Sequence, residues 1–201
     1  MAKGKKHDTF IDMTAMSDVT VLLLTFFMLT ATFLPKEPVQ VNTPPSVMET
    51  KVPEYNVMNI LVDPEGKVYL NIDRPDVRLA ALDKMTAEYG VSPLNAKQKK
   101  AFVEQPYIGT PINRLAGLMD LPMGEQDQAM KQFGIPIDSA NNQLARWVQH
   151  VRSIDEDMRI TLKADQATDY PKVNKVMKIL VDIKANRYSL VTVLKGMPEG
   201  F

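Results

Sequence analysis

The sequence predicts an α+β protein in which a single N-terminal transmembrane helix precedes a small domain with helices on one face of a mixed sheet. Three observations predict it. Val19–Leu34 (VTVLLLTFFMLTATFL) runs for sixteen residues without a charge. A proline-rich stretch follows at residues 35–54. Beyond it, β-rich and helically spaced apolar runs come in the order β-β-α and then β-α-β, which packs helices against a small sheet.

Extended back to Met13, the uncharged run becomes twenty-two residues interrupted only by Asp18. At about 1.5 Å per residue it reaches roughly 33 Å, enough for a hydrocarbon core of about 30 Å. Residues 1–12 are then a short tail, and 13–34 the membrane helix. Lys3, Lys5 and Lys6 precede the run and only Lys36 lies immediately beyond it, so the positive-inside rule places the N-terminus in the cytoplasm and residues 35–201 outside. The competing reading is a cleavable signal peptide. Against it, the run exceeds the usual apolar length, an acid interrupts its start, and Ala31-Thr32-Phe33-Leu34-Pro35 is a poor cleavage site.

Asp18 needs a physical reason. An ionised carboxylate at mid-helix in a bilayer costs about 2.5–3.5 kcal/mol, and such residues usually face a protein interior or a water path. An acid near the membrane surface is also favoured by the helix dipole, which is the structural alternative. Thr14, Asp18, Thr25 and Thr32 fall near one helix face, with Leu22 and Leu29 alongside, and so form a polar seam. Hydroxyls on a seam can solvate a carboxylate or help pass a proton; they can equally bond back to the preceding turn. Thr20 and Thr30 lie off this face, so threonine in the run is not itself diagnostic.

Residues 35–54 carry five of the fourteen prolines and read as a semi-extended tether, in which Val39-Gln40-Val41-Asn42 alternates like a short edge strand. The domain is expected at 55–201. Val57–Val62 and Lys67–Ile72 are β-rich and separated by Asp63-Pro64-Glu65-Gly66, which predicts a hairpin. Arg74–Ala87 has helical spacing at Val77, Leu79, Leu82 and Met85. Helical stretches follow at Asn95–Gln105, Pro111–Met119, Glu125–Phe133 and Ser139–Ile154, the last with a stripe of Leu144, Trp147, Val148, Val151 and Ile154. Arg159–Leu162 predicts a strand, Tyr170–Ala185 a helix with Pro171 in its first turn, and Tyr188–Leu194 a closing strand. Asp165 is read as a loop or helix cap and His150 as a surface or half-buried side chain.

Composition narrows the function. The 201 residues hold 24 basic and 24 acidic side chains, two histidines (His7 and His150) and no cysteine. Balanced charge disfavours nucleic acid as a partner, because phosphate binding needs a surplus of Lys and Arg on one face. Without thiols, disulfide frameworks, thiolate metal sites and cysteine nucleophiles are excluded, and two histidines leave few ligands for a metal. No nucleophile–base pair or glycine-rich phosphate loop is visible, so an enzyme is not expected.

The stretch Phe10–Thr30, FIDMTAMSDVTVLLLTFFMLT, resembles the signature of the biopolymer transport proteins ExbD and TolR. In that family a Thr-Pro-x-x-Asp pattern leads into one membrane helix with a Phe-Phe-Met-like run; here Thr14-Ala15-Met16-Ser17-Asp18 departs from it only at Ala15. Ile160–Asp165 and Leu190–Thr192 are similar to the family's Ala-Asp and closing-strand pattern. The resemblance covers roughly residues 8–87 and 158–195 and leaves 88–157 as an insert. It implies that Asp18 carries protons, with Thr25 and Thr14 lining the path, and that protons are the coupling ion with no bound cofactor. It further implies an inner-membrane, single-pass chain with a periplasmic domain, embedded in membrane lipid and self-associating as a dimer. Its partners would be a ring of an ExbB- or TolQ-like polytopic protein and a TonB- or TolA-like envelope protein. The alternative is a signal-anchored periplasmic binding or scaffold domain that moves no protons.

Overall fold

A computed structural model describes residues 13–31, 37–39, 41–46, 55–139 and 141–194. The chain divides into two compact units, Met1–Pro35 and Lys36–Phe201.

The first unit is the helix α1, Met13–Thr30. Its eighteen residues rise roughly 27 Å. It stops four residues short of the Leu34 boundary that hydropathy predicts, and residues 32–36 lie outside the described residues. Among the described residues no helix is long and apolar enough to cross a membrane. Every described side chain of α1 is exposed, including Leu22, Phe27 and Leu29.

The second unit is α+β. Its four-stranded mixed sheet runs β3-β2-β6-β7, formed by β2 (Val57–Val62), β3 (Val68–Ile72), β6 (Arg159–Ala164) and β7 (Tyr188–Val191). The predicted hairpin joins β2 to β3 antiparallel, with Met58 opposite Ile72 and Val62 opposite Val68. Its turn closes when the Gly66 amide donates to the Asp63 carbonyl at 2.9 Å and the Lys67 amide to Asp63 Oδ1 at 2.8 Å. The strands β2, β6 and β7 are mutually parallel, with Ile60, Leu162 and Leu190 in one row. Parallel neighbours require crossovers, and helices supply them. Between β3 and β6 come α2 (Pro75–Tyr89), α3 (Ala96–Glu104), α4 (Ile112–Met119), α5 (Met123–Phe133) and α6 (Gln143–Ile154), and between β6 and β7 comes α7 (Tyr170–Asp182).

Alternation along the strands divides the sheet into two unlike faces. Met58, Ile60, Val62, Leu70, Ile160 and Leu162 face the helices and join one core with Leu82, Phe102, Leu115, Trp147, Val176 and Leu180. The opposite face is mixed: Leu61 and Tyr69 form a small apolar cluster, while Asn59, Asn71, Thr161 and Lys163 occupy the alternate positions.

The helices end where their chemistry dictates. Pro75 opens α2, and Gly90 at φ 62° closes it in the left-handed region that costs glycine least. Asn95 and Gln98 make a reciprocal capping box on α3. The helix expected from Ser139 begins instead at Gln143, because Ile137–Asp138 (β4) and Asn141–Asn142 (β5) pair as a two-residue ladder and the Asn142 side chain caps the Ala145 amide at 3.1 Å.

The edge strand expected at Val39-Gln40-Val41-Asn42 is not formed by the described residues of that stretch. Val39 lies in a bend and Gln40 outside the described residues, and the tether strand is β1, Pro45–Ser46, parallel to β8, Val193–Leu194. The alternation at Val39 and Val41 has another cause: both valines pack on Leu61, Tyr69 and Tyr107.

Candidate functional site

Of the polar seam read from the sequence, Asp18 and Thr25 are the members whose side chains are described. Asp18, Leu22, Thr25 and Leu29 are spaced four, three and four residues apart, so they share a face. Asp18 and Thr25 are both exposed, and the side chain of Thr14 lies outside the described residues, as does Thr32. Thr25 Oγ1 donates to the Leu22 carbonyl at 2.9 Å, Thr20 to Met16 at 2.7 Å and Thr30 to Phe26 at 2.8 Å. The hydroxyls thus bond back to the preceding turn on and off the seam alike. With its proton so placed, Thr25 Oγ1 remains an acceptor toward a neighbouring group.

In the Lys36–Phe201 unit, a second constellation holds the segment at 37–46 against the mixed sheet face. Lys163 Nζ pairs with Glu37 at 2.7 and 2.9 Å. The Asn42 amide donates to Asp165 Oδ2 at 2.8 Å, and the Gln166 amide donates to the Asn42 carbonyl at 2.8 Å. Asp165 is buried and its other oxygen accepts the Ala167 amide at 2.8 Å. The capping role read from sequence is thereby extended: one carboxylate organises the β6–α7 loop and also ties down the tether. Glu37 and Lys163 are not among the residues that the sequence singles out. The available signal was period-2 alternation, which puts Lys163 with Thr161 on the face opposite Ile160 and Leu162.

Beside the tether a cavity of about 740 Å³ is lined by Glu37, Val39, Asp63, Glu65, Tyr69 and Lys131. Tyr69 is fully buried and donates to Asp63 Oδ2 at 3.3 Å, and burial beside that carboxylate pushes its hydroxyl well above the usual tyrosine range. Burial pushes Tyr107 up to about 12, Glu37 adding to the shift and a hydrogen bond to Asn71 opposing it. Gly109 lies against this group, where a Cβ would overlap the Tyr69 ring.

His150 is half-buried and meets Glu88 at 2.6 Å, while Arg146 holds the other Glu88 oxygen at 3.1 Å, a clasp between α2 and α6. Among the described residues no group of His, Asp and Glu is placed to hold a metal ion.

The chain matches the family model "Biopolymer transport protein ExbD/TolR" over residues 4–195. No curated protein and no solved structure matches it. The match runs through residues 88–157 and does not set that stretch apart as an insert. Members of this family are non-enzymatic, single-pass inner-membrane proteins that work with ExbB or TolQ as energy transducers in biopolymer transport. By the extent of that match, nearly its whole length, the chain belongs to the ExbD/TolR family.

Proposed function

We propose that this chain is the proton-carrying, force-generating subunit of an ExbB–ExbD-like inner-membrane motor, most suited to TonB-dependent transport. One observation carries the reading: Asp18 stands exposed on a helix whose other described side chains are apolar, small or hydroxyl-bearing, and all exposed. A helix apolar on every side is stable only when lipid or other helices cover it, and a carboxylate on that surface needs a polar partner or a water path. In this proposal residues 13–34 span the membrane, paired with a twin helix inside a ring of an ExbB- or TolQ-like partner.

Shut off from water, a carboxylate favours its protonated form; reached by water or a hydroxyl, it ionises. Alternation between these two environments moves a proton and changes the charge that the ring must accommodate. Thr25, left as an acceptor, suits the protonated form on a facing helix, and Thr14 lies on the same face one turn before Asp18. The domain beyond the membrane then passes movement to a TonB- or TolA-like protein, with residues 88–157 as an accessory docking surface.

Asp18→Asn tests this. The near-isosteric change is expected to abolish energy-dependent uptake while abundance, membrane insertion and copurification with the polytopic partner persist. Full uptake in the variant would reject the motor and favour the anchored scaffold, for which the charge is dispensable.

A further inference from the structure

Arg78 on α2 is 3% exposed. Its Nη1 donates to the Pro106 carbonyl at 3.3 Å, and its guanidinium lies 4.6 Å from the centroid of the Phe102 ring. Among the described residues no carboxylate pairs with it, and its Nε and Nη2 have no hydrogen-bond partner. Burial pushes its pKa down to about 10, so it is still charged at neutral pH. A buried cation with neither a counter-ion nor its full set of acceptors is among the most costly groups a core can hold.

The element that covers this cation is α3, and it is weakly attached. Of its nine residues only Gln98 and Phe102 are buried. Gln98 Nε2 donates to both carboxylate oxygens of Asp120 at 3.0 Å, and Lys99 pairs with Asp83 at 2.8 Å near the surface. Phe102 is the one fully buried apolar anchor, stacked on Trp147 at 6.4 Å and lying under Arg78. The chain around the helix is punctuated by Gly90 and Pro93 before it and Pro106 after it. Lifting α3 would expose the Phe102 ring, the Trp147 face stacked on it and the half-buried Ala101, give the guanidinium its water, and leave every ladder bond between β2 and β6 intact.

We propose that α3 is a flap that opens over Arg78 independently of the sheet, and that the unpaired guanidinium keeps its closed state shallow. The inference goes beyond the motor reading and does not depend on it. Hydrogen exchange read by mass spectrometry on the full chain in detergent micelles tests it. The α3 amides are expected to exchange about a hundredfold faster than those of β2 and β6, in keeping with sub-global opening. Arg78→Met, which keeps the apolar stem and removes the charge, should slow α3 by about tenfold or more and leave β2 and β6 unchanged. Phe102→Leu should accelerate it. Exchange of α3 in step with β2 and β6 in the unsubstituted chain overturns the proposal, as does an α3 rate that Arg78→Met leaves unchanged or raises. Should that variant fail to fold, the unsubstituted chain and Phe102→Leu still decide, because an α3 rate indifferent to Phe102→Leu is equally fatal.

Discussion

Asp165→Ala should loosen the tether and destabilise the Lys36–Phe201 unit together. The carboxylate is 8% exposed and accepts two amides, Asn42 and Ala167, both at 2.8 Å. A hydrogen bond to a charged group contributes about 1.5–3 kcal/mol, and a buried donor left without an acceptor costs about 1–3 kcal/mol. Two such bonds set an upper figure of about 6 kcal/mol. Asn42 is itself exposed, so its amide regains water once the segment lifts, which brings the expected loss to about 2–4 kcal/mol. The assay is urea unfolding of the full chain in detergent, followed by the fluorescence of Trp147, which is the single tryptophan and fully buried. Asp165→Asn keeps an acceptor for one amide and turns a donor toward the other, and should fall between the parent and the alanine variant. A loss below about 0.5 kcal/mol for Asp165→Ala, the range of ordinary surface substitutions, would refute the view that this side chain ties tether to domain.

Alkaline stability should reflect the tyrosines under the tether. Tyr107 has its hydroxyl raised from 10 to about 12, so between these values the unfolded chain releases a proton that the folded chain keeps. Stability is therefore full below pH 10 and falls as pH rises toward 12, by about 2–3 kcal/mol for a shift of this size. Tyr107→Phe should flatten that limb in unfolding titrations, and a limb of unchanged slope would show the hydroxyl to be uninvolved. Gly109→Ala places a methyl group into the Tyr69 ring. It should cost about 1–3 kcal/mol in the same unfolding assay, as overpacking does. A variant as stable as the parent would mean that the ring can shift aside.

Element identity in the domain was legible because local signals agree with the tertiary demand. Val57–Val62 is the same segment in expectation and structure, since a strand central to the sheet wants apolar side chains on both faces. The helices α2 to α7 are found where apolar spacing places them, and boundaries move by a few residues where capping competes, as Asn142 does at α6. The strand expected at Val39–Asn42 does not form, and alternating valines read alike whether a segment joins a ladder or lies across a sheet face. Only the position of Leu61, Tyr69 and Tyr107 beneath Val39 and Val41 distinguishes the two. The clasp of His150 with Glu88 was invisible for a related reason: the residues are 62 positions apart, and no local periodicity joins them.

Local patterning is enough to set the apolar helix with Asp18 and Thr25 on one face, the family to which its motif points, and the order of strands and helices that follows. These are short-range properties, set by hydropathy, helical and strand periods, and the chemistry of turns. Packing alone sets which strands are central, makes one carboxylate serve both a loop and the tether, and encloses Arg78 without a counter-ion among the described residues. Burial and hydrogen-bond satisfaction depend on groups brought together from distant parts of the chain, and their costs arise only once packing has excluded water from them.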